Sequence, residues 1–212
     1  MKMEQPKLKE TLMFDSDISD EYLEFVCKSK IVAWDIETSG LDWHCNEIGT
    51  CQLYIPDGIA AIIHINNVRP RKMCRILNNS RIKKVFHHAV FDLRFICSKW
   101  NVHARNIACT KIASKLLYAH DNNQNSLDTL LTAYLGIKKD KGQTLSNWFA
   151  RDLSVEQIDY AVNDVRYLIL LLNLLENDLA AEGLLEFVHQ CFDHIPTRVK
   201  LDILGYGDIY TH

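Results

Sequence analysis

The sequence predicts an α/β fold, a mixed β-sheet flanked by helices, on three observations. Short apolar runs bounded by turn residues fill the stretch from Ile31 to Ala108. From Thr110 onward apolar residues recur at helical spacing instead. Between two of the early runs lies Pro56-Asp57-Gly58, a turn signal that makes them an antiparallel hairpin, so the sheet cannot be wholly parallel.

Taken in order, Ser19-Asp20-Glu21 opens a helix through Tyr22, Leu23, Phe25 and Val26. Ile31-Val32-Ala33-Trp34 then reads as a central strand. Gln52–Ile55 and Ile59–Ile65 form the hairpin, Lys84–His87 a fourth strand, and Asn106-Ile107-Ala108 a fifth, weaker one. A helix is expected from Phe91 to Trp100. Ile112, Leu116 and Leu117 share one helical face; Leu127, Leu130, Leu131 and Tyr134 share another, stopped by Gly136. Ser154 and Gln157 make a capping box opening one long helix from Val155 to about Ala181.

The 212 residues, 48% hydrophobic, suffice for one domain over 1–212 with a short C-terminal tail from about residue 190. Net charge is −3, so no global positive field exists to hold a long polyanion, and any phosphate grip must come from a local patch or from bound cations. Seven cysteines without a C-x-x-C pair argue against a disulfide framework and for a reducing cytoplasm. The N-terminus carries no apolar leader, and no apolar run approaches the ~20 residues of a membrane span.

Chemistry concentrates in three acidic pieces. Asp35 and Glu37 stand two apart on the first predicted strand, so both carboxylates point to one side; crowded hard oxygens of this kind suit Mg²⁺ or Mn²⁺. Asp92 opens a helix just past a strand, in Phe86-His87-His88-Ala89-Val90-Phe91-Asp92. Tyr160 and Asp164 sit four apart on one helical face. Each piece alone has a plainer reading: a solvated strand end, a first-turn acid, an exposed polar pair. Together they supply four carboxylates and a phenol, a ligand set for two cations roughly 3.5–4 Å apart around a phosphate.

In this order, D-x-E, H-x-x-x-F-D and Y-x-x-x-D resemble the DEDDy exonucleases of the ribonuclease D group, over nearly the whole chain from Ile31. Cys109–Leu116, Pro196-Thr197-Arg198 and Leu201–Tyr206 are similar to the short bacterial nano-RNase C subgroup. The resemblance implies an RNase H-like fold with a mixed five-stranded sheet and hydrolysis of short RNA, diribonucleotides included, from the 3′ end to nucleoside 5′-monophosphates. It also implies two divalent ions, Mg²⁺ or Mn²⁺, on Asp35, Glu37, Asp92 and Asp164. Asp35 would be shared, Glu37 and Asp164 would serve one ion and Asp92 the other, with Tyr160 orienting the attacking water. A ring-shaped homo-oligomer, an octamer, is implied too, with the C-terminal tail in subunit contacts or near the active site.

Substrate contacts are expected at Thr38, Leu41, His87 and His88. Leu41 stands where relatives wedge an apolar side chain between the last two bases; its plainer role is a loop-to-core anchor. His88 replaces the Asn many relatives carry, and Val90 replaces a basic residue. The basic stretch Arg69 to Lys84 reads first as a solvated helix face, second as a phosphate track or subunit contact. Histidines and cysteines at 44, 45, 51, 87 and 88 lack structural-zinc spacing. The alternatives are a ribonuclease D-like enzyme trimming tRNA or other RNA 3′ ends, one that also degrades single-stranded DNA, and an inactive binding or assembly module.

Overall fold

Elements form where the apolar periodicity predicts them, with additions at both ends. The computed structural model describes residues 5–66, 68–119, 122–138 and 146–211. Six strands make one mixed sheet: β1 (Glu10–Asp15), β2 (Ile31–Thr38), β3 (Ile48–Ile55), β4 (Ile59–His64), β5 (Lys83–Phe86) and β6 (Ile107–Cys109). Their order is β1-β4-β3-β2-β5-β6. The hairpin β3–β4 is antiparallel, β3 is antiparallel to β2, and β2, β5 and β6 run parallel.

The sixth strand corrects the five expected. β1 pairs in parallel with β4, from Glu10 against Ile59 to Asp15 against His64. As an edge strand with three exposed residues among its six, it lacks the continuous apolar run that marks a central strand.

Among the described residues eight α-helices flank the sheet: α1 (Asp20–Ser29), α2 (Arg71–Asn78), α3 (Ala89–Trp100), α4 (Thr110–Leu117), α5 (Leu127–Leu135), α6 (Val155–Arg166), α7 (Leu168–Ala181) and α8 (Leu185–Ile203). Ser19 caps α1 by accepting from the Tyr22 amide, and the Ser154/Gln157 capping box opens α6 as read. Gly136 ends α5 at φ 68°. The long helix expected from Val155 is instead two, broken at Tyr167, with neither Gly nor Pro at the break. The stretch from residue 190, read as a tail, is largely the second half of α8, whose Val188, Phe192, Ile195 and Val199 are buried.

Candidate active site

Alternation along β2 divides its side chains between the two sheet faces. Val32, Trp34 and Ile36 go into the core, and Trp34 stacks on Phe86 of β5 and meets Trp100 of α3. Asp35 and Glu37 take the other face, half-buried, opposite Gln52 and Thr50 of β3. Gln52 Nε2 donates to Thr50 Oγ1 at 2.6 Å, while the buried Gln52 Oε1 has no hydrogen-bond partner among the described residues.

Helix α6 packs against β2, β3 and β4 and brings Asp164 to this site. Oxygens of Asp35, Glu37 and Asp164 all lie within 4.8 Å of one another. Asp92, in the first turn of α3, is 2% exposed. Burial pushes its carboxyl well above the usual carboxylate range; the charges of Asp35 and then Glu37 add to this, while the backbone N–H groups of Asp92 and Ile36 oppose it. Asp92 is thus near enough to Asp35 and Glu37 to feel their charge, although it is not one of the three acids whose oxygens cluster.

The three oxygens of the cluster and the buried carboxyl beside it are all hard donors, so the residues present fit Mg²⁺ or Mn²⁺ and do not fit a thiolate or imidazole metal. All seven cysteines are free thiols.

Around the acids, Leu41 is 83% exposed at the tip of its loop, which excludes the core-anchor role. The loop is braced from within: Thr38 Oγ1 donates to the Gly40 carbonyl at 2.7 Å and Asn46 Oδ1 accepts from the Asp42 amide. A Cβ at Gly40 would stand 2.6 Å from Asn46 Oδ1, so a larger residue there would displace the Asn46 side chain from its brace. His87 Nδ1 is 2.9 Å from Thr110 Oγ1, which ties its ring to the start of α4.

His88 occupies the left-handed region at φ 76°, which Asn adopts more readily than His. Partial burial, then Lys111, Lys115 and Arg94, hold its imidazole down to about 4. The charges of three cations therefore all act on this ring at the entry to α3, a local positive field the sequence reading missed. Its signal was available: Lys111 and Lys115 are four apart just after β6. In the Arg69–Lys84 stretch, most side chains are solvated as read, whereas Lys84 is fully buried, its Nζ donating to the Asn79 and Ile82 carbonyls at 2.8 and 2.7 Å.

The model of a family described as 3′-5′ exonuclease matches residues 11–180. The chain belongs to this 3′-5′ exonuclease family. Within the family it falls with the ribonuclease D group, close to nano-RNase C. Ribonuclease D of Haemophilus influenzae is 30% identical over 151 residues, 70% of this chain and 37% of that protein. Exosome complex component 10 of Rattus norvegicus is 30% identical over 138 residues, 63% of this chain and 15% of that protein. The chain thus spans well under half the length of these curated relatives. Brucella melitensis NrnC superposes with a TM-score of 0.87 at 31% identity, covering 96% of this chain and 100% of that one. Other structures of that exonuclease carry bound Mg²⁺ and pGG. The family is divalent-metal dependent, in keeping with the oxygen-only cluster here.

Proposed function

We propose that the chain hydrolyses short RNA from the 3′ end, diribonucleotides included, releasing nucleoside 5′-monophosphates with two divalent cations at the acid cluster. The observation that carries this reading is the convergence of Asp35, Glu37 and Asp164 within 4.8 Å, with the buried Asp92 under the influence of the Asp35 and Glu37 charges, in a chain of exonuclease descent.

Asp35 would be shared between the cations, with Glu37 and Asp164 on one and Asp92 on the other. When bound, the cations supply a lowered pKa for the attacking water and charge stabilisation for the departing 3′ oxygen. Tyr160 lies one helical turn before Asp164. A phenol with an ordinary pKa near 10 is a poor base at neutral pH, so its hydroxyl orients the water by hydrogen bonding. Water oxygen bonds to phosphorus, the P–O3′ bond breaks, and the released 3′ oxygen takes up a proton.

Short substrates are supported by the weak net charge, which leaves little long-range pull on a long polyanion. The pGG ligand of the Brucella protein, which this chain matches almost end to end, supports the same size class. Leu41 would wedge between the last two bases and the backbone about Thr38 would meet the terminal ribose, where a 2′-hydroxyl contact favours RNA. His87 and His88 would line the same end.

Ring assembly is supported by exposed Phe187, Leu204, Tyr206, Ile209 and Tyr210 on and after α8. The unpaired cysteines support the cytoplasm, and no helix among the described residues is long and apolar enough to cross a membrane.

The test is a time course with 5′-labelled RNAs of two to about twenty nucleotides in Mg²⁺ or Mn²⁺. Mononucleotide release that is fastest on dinucleotides supports the reading. A preference for long or tRNA-like 3′ ends favours the ribonuclease D-like alternative, equal rates on DNA remove the RNA selectivity, and no release at all favours a binding module.

A further inference from the structure

Tyr160 has a fixed Cα on α6, but a tyrosine ring can swing about two side-chain torsions, and a neighbour packed on the ring limits where its hydroxyl can stand. Trp148 is such a neighbour. The two rings lie 5.9 Å apart between centroids at an interplanar angle of 40°. Trp148 is 2% exposed, although Asn147 and Phe149 on either side of it are open to solvent.

The Trp148 backbone is held from two directions. Its carbonyl rests on Gly49, where a Cβ would stand only 2.8 Å away, so any side chain at that position would push the turn outward. Gly49 lies in the irregularity where Glu37 pairs with Thr50 but Thr38 pairs with Ile48, directly beside the carboxylate strand. From the other side, Gln157 of the α6 capping box donates to the Asn147 carbonyl at 3.2 Å. Trp148 therefore links the strand next to Glu37, the start of α6 and the phenol ring.

We propose that Trp148 is a positioning residue: anchored on Gly49, it sets the Tyr160 hydroxyl over the acid cluster. This rests on the reading of Tyr160 as the group that orients the attacking water. The face of the indole carries the role. Its buried Nε1 has no hydrogen-bond partner among the described residues, so removing that donor breaks no bond there.

The experiment is a double-mutant cycle on full-length protein with a dinucleotide and Mg²⁺. W148L and W148F are each made alone and in a Y160F background. W148L should lower kcat roughly 10- to 100-fold, as expected of a catalytic group displaced by about 1 Å, with KM little changed. In the Y160F background it should cost nothing further, and W148F should restore most of the rate. Mn²⁺ affinity by calorimetry should be the same in W148L as in wild type.

Losses from W148L and Y160F that multiply would overturn the proposal, as would a change in KM alone. Should W148L fail to fold, G49A replaces it, since it displaces Trp148 without altering either ring; it must lower kcat, and be silent with Y160F, or the proposal is wrong. A wild type without turnover, or a Y160F enzyme at full rate, instead sinks the reading of the site on which the proposal stands.

Discussion

Arg94 grips Asp202 through Nε at 2.7 Å and Nη2 at 2.6 Å, fastening α3, the helix that carries Asp92, to the end of α8. Arg198 reaches the same carboxylate at 3.1 Å and passes on to Asp208 at 2.9 Å. The Asp202 side chain is only 7% exposed, so its charge is compensated by two guanidinium groups rather than by water.

Removing that carboxylate leaves two partly buried cations facing each other. Asp202→Ala should destabilise the fold by roughly 2–4 kcal/mol, read as a lower denaturant midpoint at unchanged slope. Because Arg198, held by Asp202, also grips Asp208, the variant should weaken assembly in light scattering if the exposed residues after α8 form the proposed ring contacts. A variant as stable and as large as wild type would show that this network is solvated ornament.

Removing a metal-site carboxylate should have the opposite signature. Asp35→Ala and Asp164→Ala relieve crowding among like charges, so each should fold at least as well as wild type without cations. Turnover should fall by about 10³-fold or more, since a site that stabilises developing charge loses a ligand. Calorimetry with Mn²⁺ should show weakened binding in both, and EDTA should silence the wild type until Mg²⁺ or Mn²⁺ is restored.

Asp92 makes the cation-free protein sensitive to pH in a defined direction. Its folded pKa is raised, so its contribution to stability is complete below the unfolded value near 4 and is lost as pH rises through the higher folded value. A bound divalent cation removes that penalty by pairing with the charge. The rise in Tm on adding Mn²⁺ should therefore be larger at pH 8 than at pH 5, and Asp92→Asn should raise the cation-free Tm at pH 8 while abolishing most of the difference. Equal shifts at both pH values would count against a buried, crowded Asp92.

Much of this was legible in the sequence because the relevant rules are local. Period-two spacing fixes Asp35 and Glu37 on one face, and i,i+4 spacing fixes Tyr160 beside Asp164; both hold in the fold. What local rules could not convey were features set by long-range packing. Glu10–Asp15 is a strand only because β4 offers an open edge. Tyr167 interrupts a helical pattern that carries on unbroken in the residues around it, where Arg166 turns aside to bond the Pro6 carbonyl and lies over the Tyr167 ring. Lys84 sat within a run of cations yet is buried, held near 7 by desolvation and bonded to two carbonyls of its own turn. Trp148 gave no sign of touching Tyr160, since the two stand twelve positions apart and the contact depends on Gly49 in a third element.

Leu41 offers a prediction that separates binding from stability. At 83% exposure its side chain contributes little to the fold, so Leu41→Ala should shift stability by less than about 0.5 kcal/mol. If the side chain is covered only when a substrate's last two bases close around it, the variant forfeits part of the ~1.5–3 kcal/mol that full burial of a leucine provides. That corresponds to a roughly 5- to 50-fold rise in KM on dinucleotides. An apolar side chain inserted between bases would act on binding rather than on the reacting phosphate, so kcat should change far less. An unaltered KM, with the melting temperature also unaltered, would remove Leu41 from the substrate site and leave the exposed loop tip without a role in nucleotide binding.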